Sequence, residues 1–290
     1  MYMNIDNNFC WDHCPLCHST HINKIGDADY SGEVKFSTQE VNLGRHPELW
    51  NCGQCSSRFV QNIIPEATSV LLYTNSNADQ RWQSIPFEQH KTPEVIRTMA
   101  EVLVNKGRIL DIGCNTGELL DFARSQGCIT SGLEYSSASR EILLSKGHSA
   151  HKSFDELTDK FDVITAFDLV EHLYDVPDFL NHCYDRLVSG GKLVLLTGDI
   201  QSVSARSAGA GWWYAQYPEH IVFPSKYFFE KFSDFQLETW LPTFASAGYV
   251  LPGYRVILSR LKRLITMNKY NGMPSRLPDH VMIILTKVDM

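Results

Sequence analysis

The amino-acid sequence predicts an α/β protein with a parallel, doubly wound sheet and a small metal-binding module near the N-terminus. Two observations support this fold class. From residue 107 onward, segments typical of strands alternate with segments typical of helices. Upstream, four of the eight cysteines form two C-x-x-C pairs within the first 55 residues. We therefore divide the chain into a metal-binding module at residues 1–62, a linker and helical lead-in at 63–106, and a sheet domain at 107–290.

Composition and charge set the first limits on function. The 290 residues are 43% hydrophobic and 20% charged, and the formal net charge is −7. No uninterrupted apolar run approaches the roughly 20 residues of a membrane span, and the N-terminus has no signal-peptide pattern. We therefore expect a cytoplasmic protein without a membrane span. The acidic balance argues against an enzyme held on nucleic acid by phosphate contacts, and the oligomeric state stays open.

The paired cysteines predict a structural zinc site. Cys14 and Cys17 form one knuckle and Cys52 and Cys55 the other, and two such knuckles complete a tetrahedron around Zn²⁺. Four unrelated buried thiols remain the alternative. Residues 1–60 contain four basic and seven acidic side chains, a net charge of −3, which is a poor match for a phosphate backbone. We therefore expect the zinc to be structural.

The strand predicted at residues 108–112 leads into a glycine-containing turn and a helix. Gly113 and Gly117 would let the backbone turn sharply and approach a ligand closely. The dinucleotide fingerprint G-x-G-x-x-G is absent, because Asn115 and Glu118 stand where its second and third glycines belong. The turn therefore indicates a nucleotide-like ligand without a pyrophosphate.

Asp111, Gly113, Asn115 and Gly117 resemble motif I of the class I S-adenosylmethionine-dependent methyltransferases. The resemblance implies a Rossmann-like seven-stranded sheet closed by an antiparallel hairpin, with S-adenosylmethionine as the cofactor. We expect the hairpin strands near residues 236–240 and 281–288. Between them, residues 254–276 contain six basic residues and no acids, which suits either a lid over a phosphorylated substrate or a solvated surface helix.

Acidic residues follow three further predicted strands, at residues 128–133, 148–151 and 161–167. Glu134 stands where an acid can accept hydrogen bonds from both ribose hydroxyls. The resemblance places Asp155 at the adenine amino group, although its surroundings also read as an ordinary helix cap. The expected cofactor-binding residues are Asp111, Gly113, Cys114, Asn115, Gly117, Glu134, Tyr135, Asp155 and Asp168.

The segment after the fifth strand, predicted at residues 192–197, indicates the acceptor site. Trp212, Trp213, Tyr214 and Tyr217 lie within six residues, either as a wall for a sugar or aromatic ring or as packing of the loop on its own domain. In the lead-in, Tyr73, Arg81 and Trp82 are further candidates for ligand contacts, and a packing role suits them equally.

Tyr217, Glu219 and His220 resemble the Tyr-x-Glu-His segment of zinc-containing deoxysugar C-methyltransferases, which also begin with a two-knuckle zinc module. Those enzymes continue with a further C-terminal domain that these 290 residues do not contain, so O-methylation is as compatible as C-methylation. We expect His220 to be the base, Glu219 to orient it, and His172 and Tyr217 to contact the acceptor. His172, which also follows a glutamate, is the alternative base.

The sequence therefore predicts an S-adenosylmethionine-dependent methyltransferase of a small polar acceptor, a sugar or a sugar-linked metabolite. Two rivals stay open. The chain could be an RNA methyltransferase that binds RNA through the zinc module. However, the sequence lacks the Asn/Asp-Pro-Pro-aromatic tetrad of enzymes that methylate exocyclic amines of bases. A non-catalytic protein could keep the cofactor fold as a partner surface.

Overall fold

The computed structural model describes most of the chain. The described residues are 3–5, 8–28, 33–36, 39–74, 85–215, 217–247 and 277–289. The basic segment 254–276, Arg81 and Trp82 lie outside them. The strands are β1 (Met3–Ile5), β2 (Ile22–Asp27), β3 (Glu33–Phe36), β4 (Gln39–Leu43), β5 (Glu48–Cys52), β6 (Arg58–Gln61), β7 (Arg108–Ile112), β8 (Ile129–Leu133), β9 (Ser149–His151), β10 (Phe161–Phe167), β11 (Leu187–Gly198), β12 (Val222–Phe223), β13 (Phe235–Thr243) and β14 (His280–Lys287).

Helices cover both faces of the main sheet. They are α1 (Glu66–Thr74), α2 (Phe87–His90), α3 (Pro93–Leu103), α4 (Glu118–Ser125), α5 (Ser137–Ser145), α6 (Val176–Arg186), α7 (Val203–Ala208) and α8 (Lys226–Lys231). Within the described part of the chain, no helix combines the length and the apolar character that crossing a bilayer requires.

The main sheet has seven strands in the order β13-β14-β11-β10-β7-β8-β9. The five strands from β7 to β11 are parallel, whereas β14 is antiparallel to β11 and β13 is antiparallel to β14. The predicted Rossmann-like sheet and its closing antiparallel hairpin are therefore confirmed. Because the strand order reverses direction beside β7, the carboxyl ends of β7 and β10 flank a crevice suited to a ligand.

One boundary differs from the sequence-based expectation. The fifth strand, expected at residues 192–197, begins earlier, because α6 ends at Arg186 and β11 already starts at Leu187, so Gly190 and Gly191 lie inside the strand. Leu187 pairs with Phe161, and the register then shifts before regular pairing resumes. The two glycines therefore lie within an irregular start of the strand.

The cysteine-bearing module packs directly on the main sheet. Its four-stranded sheet has the order β12-β6-β5-β2, so Val222–Phe223 from the distal part of the chain pairs with the module's β6. Buried Trp11 and Phe59 of the module belong to the same apolar core as Leu195 of β11. A separate core fills the opposite face of the main sheet. The module and one sheet face thus share their interior.

Candidate functional site

A cavity of about 580 Å³ lies at the carboxyl ends of β7, β8 and β10. Asp111, Glu134 and Asp168, which end or directly follow these strands, all line it. Parallel sheets bind their ligands at this edge, because the loops there converge and backbone groups at strand ends are free to reach a ligand. The cavity is therefore the candidate active site.

The turn after β7 forms one wall of the cavity. Gly113 and Gly117 have φ values of +70° and +87°, and Asn115 between them has a φ of +46°. These left-handed conformations favour glycine, and Asn tolerates them better than most residues. A Cβ atom at Gly117 would lie 2.6 Å from the Leu143 side chain, so this position also lacks room for a side chain. The backbone itself therefore faces the ligand space.

Glu134 joins this turn to the end of β8. Its Oε2 accepts a hydrogen bond from the backbone N–H of Asn115 at 3.0 Å, and its Oε1 accepts one from the N–H of Ser136 at 2.9 Å. Burial raises the pKa of Glu134 despite these backbone donors. The carboxylate is held in a fixed orientation on the cavity wall, where its remaining lone pairs suit a diol.

Asp111 and Cys114 lie deeper in the same wall. Asp111 is buried, and its Oδ1 accepts a hydrogen bond from Thr165 Oγ1 at 2.7 Å. Burial raises the pKa of this carboxyl to about 7. Cys114 is also buried, and a Cβ atom at Gly132 would lie 2.5 Å from its Sγ. The thiol therefore fills the space between β7 and β8.

Two aromatic rings and a second carboxylate form a further part of the cavity. Tyr135, Phe154 and Asp155 all line it, and Phe154 stacks on His182 with ring centroids 4.9 Å apart and planes at 16°. An aromatic face beside a carboxylate suits a heterocyclic ring with an exocyclic amine. Eight of the nine residues that the sequence predicted for cofactor binding line this cavity, and the ninth, Gly117, donates its backbone N–H to the carbonyl oxygen of Cys114, which lines it.

Lys91 is a cavity residue that the sequence analysis missed. Its Nζ lies 2.9 Å from Asp168 Oδ2 and donates to the Ala245 carbonyl oxygen at 3.3 Å. It also lies 5.8 Å from the centroid of the Phe167 ring. Asp168 has a φ of +51°, a constrained position directly after β10. No local pattern marks Lys91, since its partner lies 77 residues downstream.

Glu171, His172 and His220 form a compact group that we name the His–Glu cluster. Each offers one ligand atom, and these atoms lie within 4.8 Å of one another. His172 lines the cavity, whereas Glu171 is fully buried behind it. The His172 and His220 rings meet edge to face with centroids 4.7 Å apart. The two candidate bases predicted from sequence are therefore neighbours.

Backbone carbonyls orient both imidazoles. His172 Nδ1 lies 2.9 Å from the Glu219 carbonyl oxygen and 3.0 Å from the Tyr73 hydroxyl, and His220 Nδ1 lies 2.5 Å from the Tyr214 carbonyl oxygen. A carbonyl oxygen can only accept, so each Nδ1 carries a proton, and in the neutral ring the lone pair is on Nε2. Burial, followed by the neighbouring His172, lowers the pKa of His220 to about 3. His220 therefore stays neutral.

The aromatic segment is packed in the interior. Trp212, Trp213 and Tyr214 are 0%, 4% and 5% exposed, so they do not form the exposed wall that was one of the two expectations. Instead, Tyr214 donates its hydroxyl to Glu171, and Trp213 donates its indole N–H to Asp279. The polar atoms of Trp213 and Tyr214 therefore find partners inside the protein, whereas the buried Trp212 Nε1 has no hydrogen-bond partner among the described residues.

Tyr217 and Glu219 occupy supporting positions. The Tyr217 hydroxyl donates to the Asn62 carbonyl oxygen at 3.1 Å and accepts from the Ile64 backbone N–H at 3.1 Å. Glu219 is buried, and its backbone oxygen is the partner of His172 Nδ1. The Tyr214 carbonyl oxygen orients His220 through Nδ1, and an orienting role of Glu219 stays a prediction.

Cys14, Cys17, Cys52 and Cys55 converge at a second group, which we name the cysteine cluster. Their Sγ atoms lie within 4.8 Å of one another, with Cys14 and Cys55 at 3.7 Å and Cys17 and Cys52 at 3.5 Å. A tetrahedral site with Zn–S bonds of about 2.3 Å places sulfurs about 3.8 Å apart. The backbone N–H of Cys55 also points at Cys52 Sγ, at 3.4 Å. The donor set therefore fits zinc.

Short contacts connect the cysteine cluster to the His–Glu cluster. Ser225 donates its hydroxyl to the Cys55 carbonyl oxygen and also caps α8. The Val60 N–H donates to the Ile221 carbonyl oxygen at 2.8 Å, and the Ile221 N–H donates to the Glu171 carbonyl oxygen at 2.7 Å. The module thus holds the chain segment that directly follows His220.

Comparisons with known proteins agree with this architecture. A family model described as a methyltransferase domain matches residues 85–240. The ubiquinone biosynthesis O-methyltransferase of Nitrobacter winogradskyi is 31% identical over 99 residues, covering 31% of this chain and 38% of that protein. The protein of the same name from Coxiella burnetii is 26% identical over 118 residues, covering 36% and 50%. The chain therefore spans half or less of the length of these relatives.

A solved structure shows the same fold. The magnesium protoporphyrin IX methyltransferase from Synechocystis PCC 6803 with bound SAH aligns with a TM-score of 0.50 at 13% identity. The alignment covers 77% of this chain and 100% of that one. At this identity the likeness concerns the fold of the sheet domain.

Proposed function

Because the chain belongs to the methyltransferase domain family, whose enzymes depend on S-adenosylmethionine, we propose that it methylates a small polar acceptor, a sugar or a sugar-linked metabolite. The observation that carries this proposal is the lining of the cavity, which we divide into a cofactor end and an acceptor end. One end presents the glycine turn with Glu134 and Asp155, and the other presents Lys91, Asp168 and His172. An acceptor with several hydroxyl groups suits the second end, because its lining groups include a cation, a carboxylate and an imidazole.

The first end would hold the cofactor. Glu134 would accept hydrogen bonds from the two ribose hydroxyls, and Asp155 would meet the adenine amino group. Backbone around Gly113 would pass close to the amino-acid part of the cofactor. Both carboxylates line the cavity, and Glu134 is already fixed by two backbone donors. Such preorganisation lowers the entropic cost of binding.

Methyl transfer needs alignment and the loss of one proton. The sulfonium carbon is attacked by the acceptor oxygen, the C–O bond forms as the C–S bond breaks, and the C–S electron pair stays on sulfur. Holding the two reactants in line supplies most of the acceleration that the protein can give. The acceptor hydroxyl must lose its proton during this step, and an imidazole lone pair on the cavity wall can assist.

The geometry favours His172 over His220 as the imidazole nearest to the acceptor. His172 lines the cavity, and its Nδ1–H donates to the Glu219 carbonyl oxygen, so the lone pair of the neutral ring is on Nε2. His220 stands behind it, and a pKa of about 3 makes it a weak proton acceptor. The expectation from sequence gave the leading role to His220, and the proposed assignment reverses the order of the two residues.

We further propose that the cysteine cluster binds one structural Zn²⁺. The cluster fits a tetrahedral thiolate site, and three of its cysteines, Cys14, Cys52 and Cys55, are at most 3% exposed. A closed set of four protein ligands leaves no position for substrate, which is typical of structural zinc. The ion would stabilise the knuckles, which in turn hold the chain after His220.

Two other acceptors belong in the test. The curated relatives are named for ubiquinone biosynthesis, so a phenolic hydroxyl is the second candidate and O-methylation is favoured over C-methylation. RNA is less compatible, because Lys24 of the module is paired with Asp27 and Glu48, and Arg58 is half-buried. These two cations of the module are therefore poorly placed to meet phosphates.

The proposal can be tested with S-adenosylmethionine carrying a labelled methyl group. The purified full chain would be incubated with separate pools of nucleotide-linked sugars, free sugars, catechols and RNA, and labelled products identified by mass spectrometry. We expect label in a sugar pool, and none with His172→Asn as the matched control. Label appearing with catechols or RNA, and in no sugar pool, would overturn the assigned acceptor class.

A further inference from the structure

The His–Glu cluster has the composition of a metal site. Two imidazoles and one carboxylate place their ligand atoms within 4.8 Å of one another, and His172 Nε2 lies 4.0 Å from Glu171 Oε1. Two histidines and one carboxylate are a recurrent ligand set for divalent first-row transition metals, because neutral imidazole and carboxylate suit these borderline ions. Three protein ligands also leave coordination positions open.

The orientation of both rings supports the same interpretation. Metal-binding histidines usually donate their other ring N–H to a backbone carbonyl or a carboxylate, which fixes the tautomer and aims the lone pair at the metal. Here the Glu219 carbonyl receives Nδ1–H of His172, and the Tyr214 carbonyl receives Nδ1–H of His220. Both Nε2 lone pairs are therefore available within the cluster.

The carboxylate gives an independent reason to expect a cation. Glu171 is fully buried; its Oε2 accepts a hydrogen bond from Thr197 at 2.9 Å, and its Oε1 accepts one from the Tyr214 hydroxyl. Within the described residues, His172 is the basic side chain within 4.0 Å of this carboxylate, and the nearby Lys91 ammonium pairs with Asp168. Burying a carboxylate is costly unless a positive charge compensates it, and a divalent cation between the three ligand atoms would do so.

We propose that the His–Glu cluster binds a divalent first-row transition-metal ion at the acceptor end of the cavity. An open coordination position would take the acceptor hydroxyl, and the ion would make that hydroxyl more acidic. The acceptor proton would then leave to solvent, and His172 would serve as a ligand in the loaded enzyme. This catalytic role rests on the proposed function, whereas binding of the ion does not.

The site can be tested by titrating the full chain with Co²⁺ in the absence of cofactor and acceptor. Thiolate-to-cobalt charge transfer marks the cysteine cluster, whereas a site of nitrogen and oxygen ligands gives ligand-field bands alone. We expect two equivalents of Co²⁺ per chain for the wild type, one with thiolate bands and one without. Glu171→Gln and His220→Asn should each lose the equivalent without thiolate bands, and exposed His46→Asn should keep it.

Either of two outcomes would overturn the site. They are a wild type that binds no Co²⁺ outside the cysteine cluster, or both variants retaining the second equivalent. Circular dichroism would check that the variants fold, and if neither does, the wild-type stoichiometry alone decides. The titration uses no acceptor, so its result does not depend on whether the acceptor class is assigned correctly. Conversely, a chain that binds no metal at the His–Glu cluster would not contradict the proposed acceptor class.

Discussion

The cysteine cluster and the His–Glu cluster are built from different donors in different surroundings. The first offers four thiols, packed inside the module and away from the cavity. The second offers two imidazoles and a carboxylate, and His172 forms part of the cavity wall. Closed thiolate sites typically hold a protein together, whereas sites with three ligands and an open position typically act on substrates. Donor type and location therefore assign separate tasks to the two clusters.

The two clusters are nevertheless mechanically linked. The pairing of β6 with β12 and the hydrogen bonds through Ile221 connect the knuckle after Cys55 to the backbone of Glu171. A structural ion in the module would thus help to position His220, which lies two residues before β12. An ion bound at the cysteine cluster would therefore support the reaction without meeting the reactants.

The largest expected effect is loss of the structural ion. Cys52→Ser should remove about one zinc per chain, because the serine hydroxyl does not replace the lost thiolate ligand, and structural zinc in zinc-finger peptides contributes about 10–16 kcal/mol to folding. We expect zinc content near zero and a markedly lower Tm. Metal analysis and thermal unfolding would check this, with Cys128→Ser, a buried cysteine outside both clusters, as the control. Freshly prepared wild-type protein without zinc would refute the structural role of the cysteine cluster.

The second effect separates a direct base from a metal ligand. His172→Asn and His220→Asn should each lower kcat by about 10²–10⁴-fold, the range for a positioned acid-base or metal-activating group. Cofactor affinity should stay unchanged in both, because neither residue lies at the glycine turn. Steady-state kinetics would measure this, with His46→Asn as the control. If His172→Asn is inactive while His220→Asn keeps wild-type turnover, His172 takes the proton directly and the proposed metal has no part in the reaction.

Much of the fold followed from the sequence, because the sheet depends on local patterns. The strand and helix alternation after residue 107 and the antiparallel closing hairpin are confirmed, since apolar runs and turn residues are read over a few positions. Glu134 reaches the cavity for a related reason. An acid that follows a parallel strand arrives at the carboxyl edge whatever the details of packing.

The remaining features depend on contacts between distant residues. Lys91 meets Asp168 across 77 positions, and Tyr217 meets Ile64 across 153 positions. The burial of Trp212 was also undetermined, since an aromatic run suits an interior as well as a ligand wall. Periodicity carries no information about such partners, so they required the three-dimensional structure.

The third expected effect concerns Glu134, a residue of the proposed cofactor site that belongs to neither cluster. Glu134→Ala should weaken binding of S-adenosylhomocysteine by about 1.5–3 kcal/mol for each lost charge-assisted hydrogen bond. Zinc content and Co²⁺ stoichiometry should both stay at wild-type values. Isothermal titration calorimetry would measure the affinity, and Glu134→Gln, which keeps the shape of the side chain, is the matched control. Equal affinity in wild type and Glu134→Ala would place the ribose elsewhere.

The smallest effect concerns the segment between the two clusters. Tyr217→Phe removes a hydroxyl that bonds the backbone of Asn62 and Ile64, just after β6. A buried backbone N–H left without its acceptor costs about 1–3 kcal/mol, so unfolding free energy should fall by that amount. Denaturant unfolding and steady-state kinetics would be measured on the same preparation. If stability is unchanged and turnover falls, Tyr217 contacts the acceptor, as the sequence resemblance implies. If stability falls and turnover at saturating acceptor is kept, Tyr217 instead anchors the segment that carries His220 to the N-terminal module.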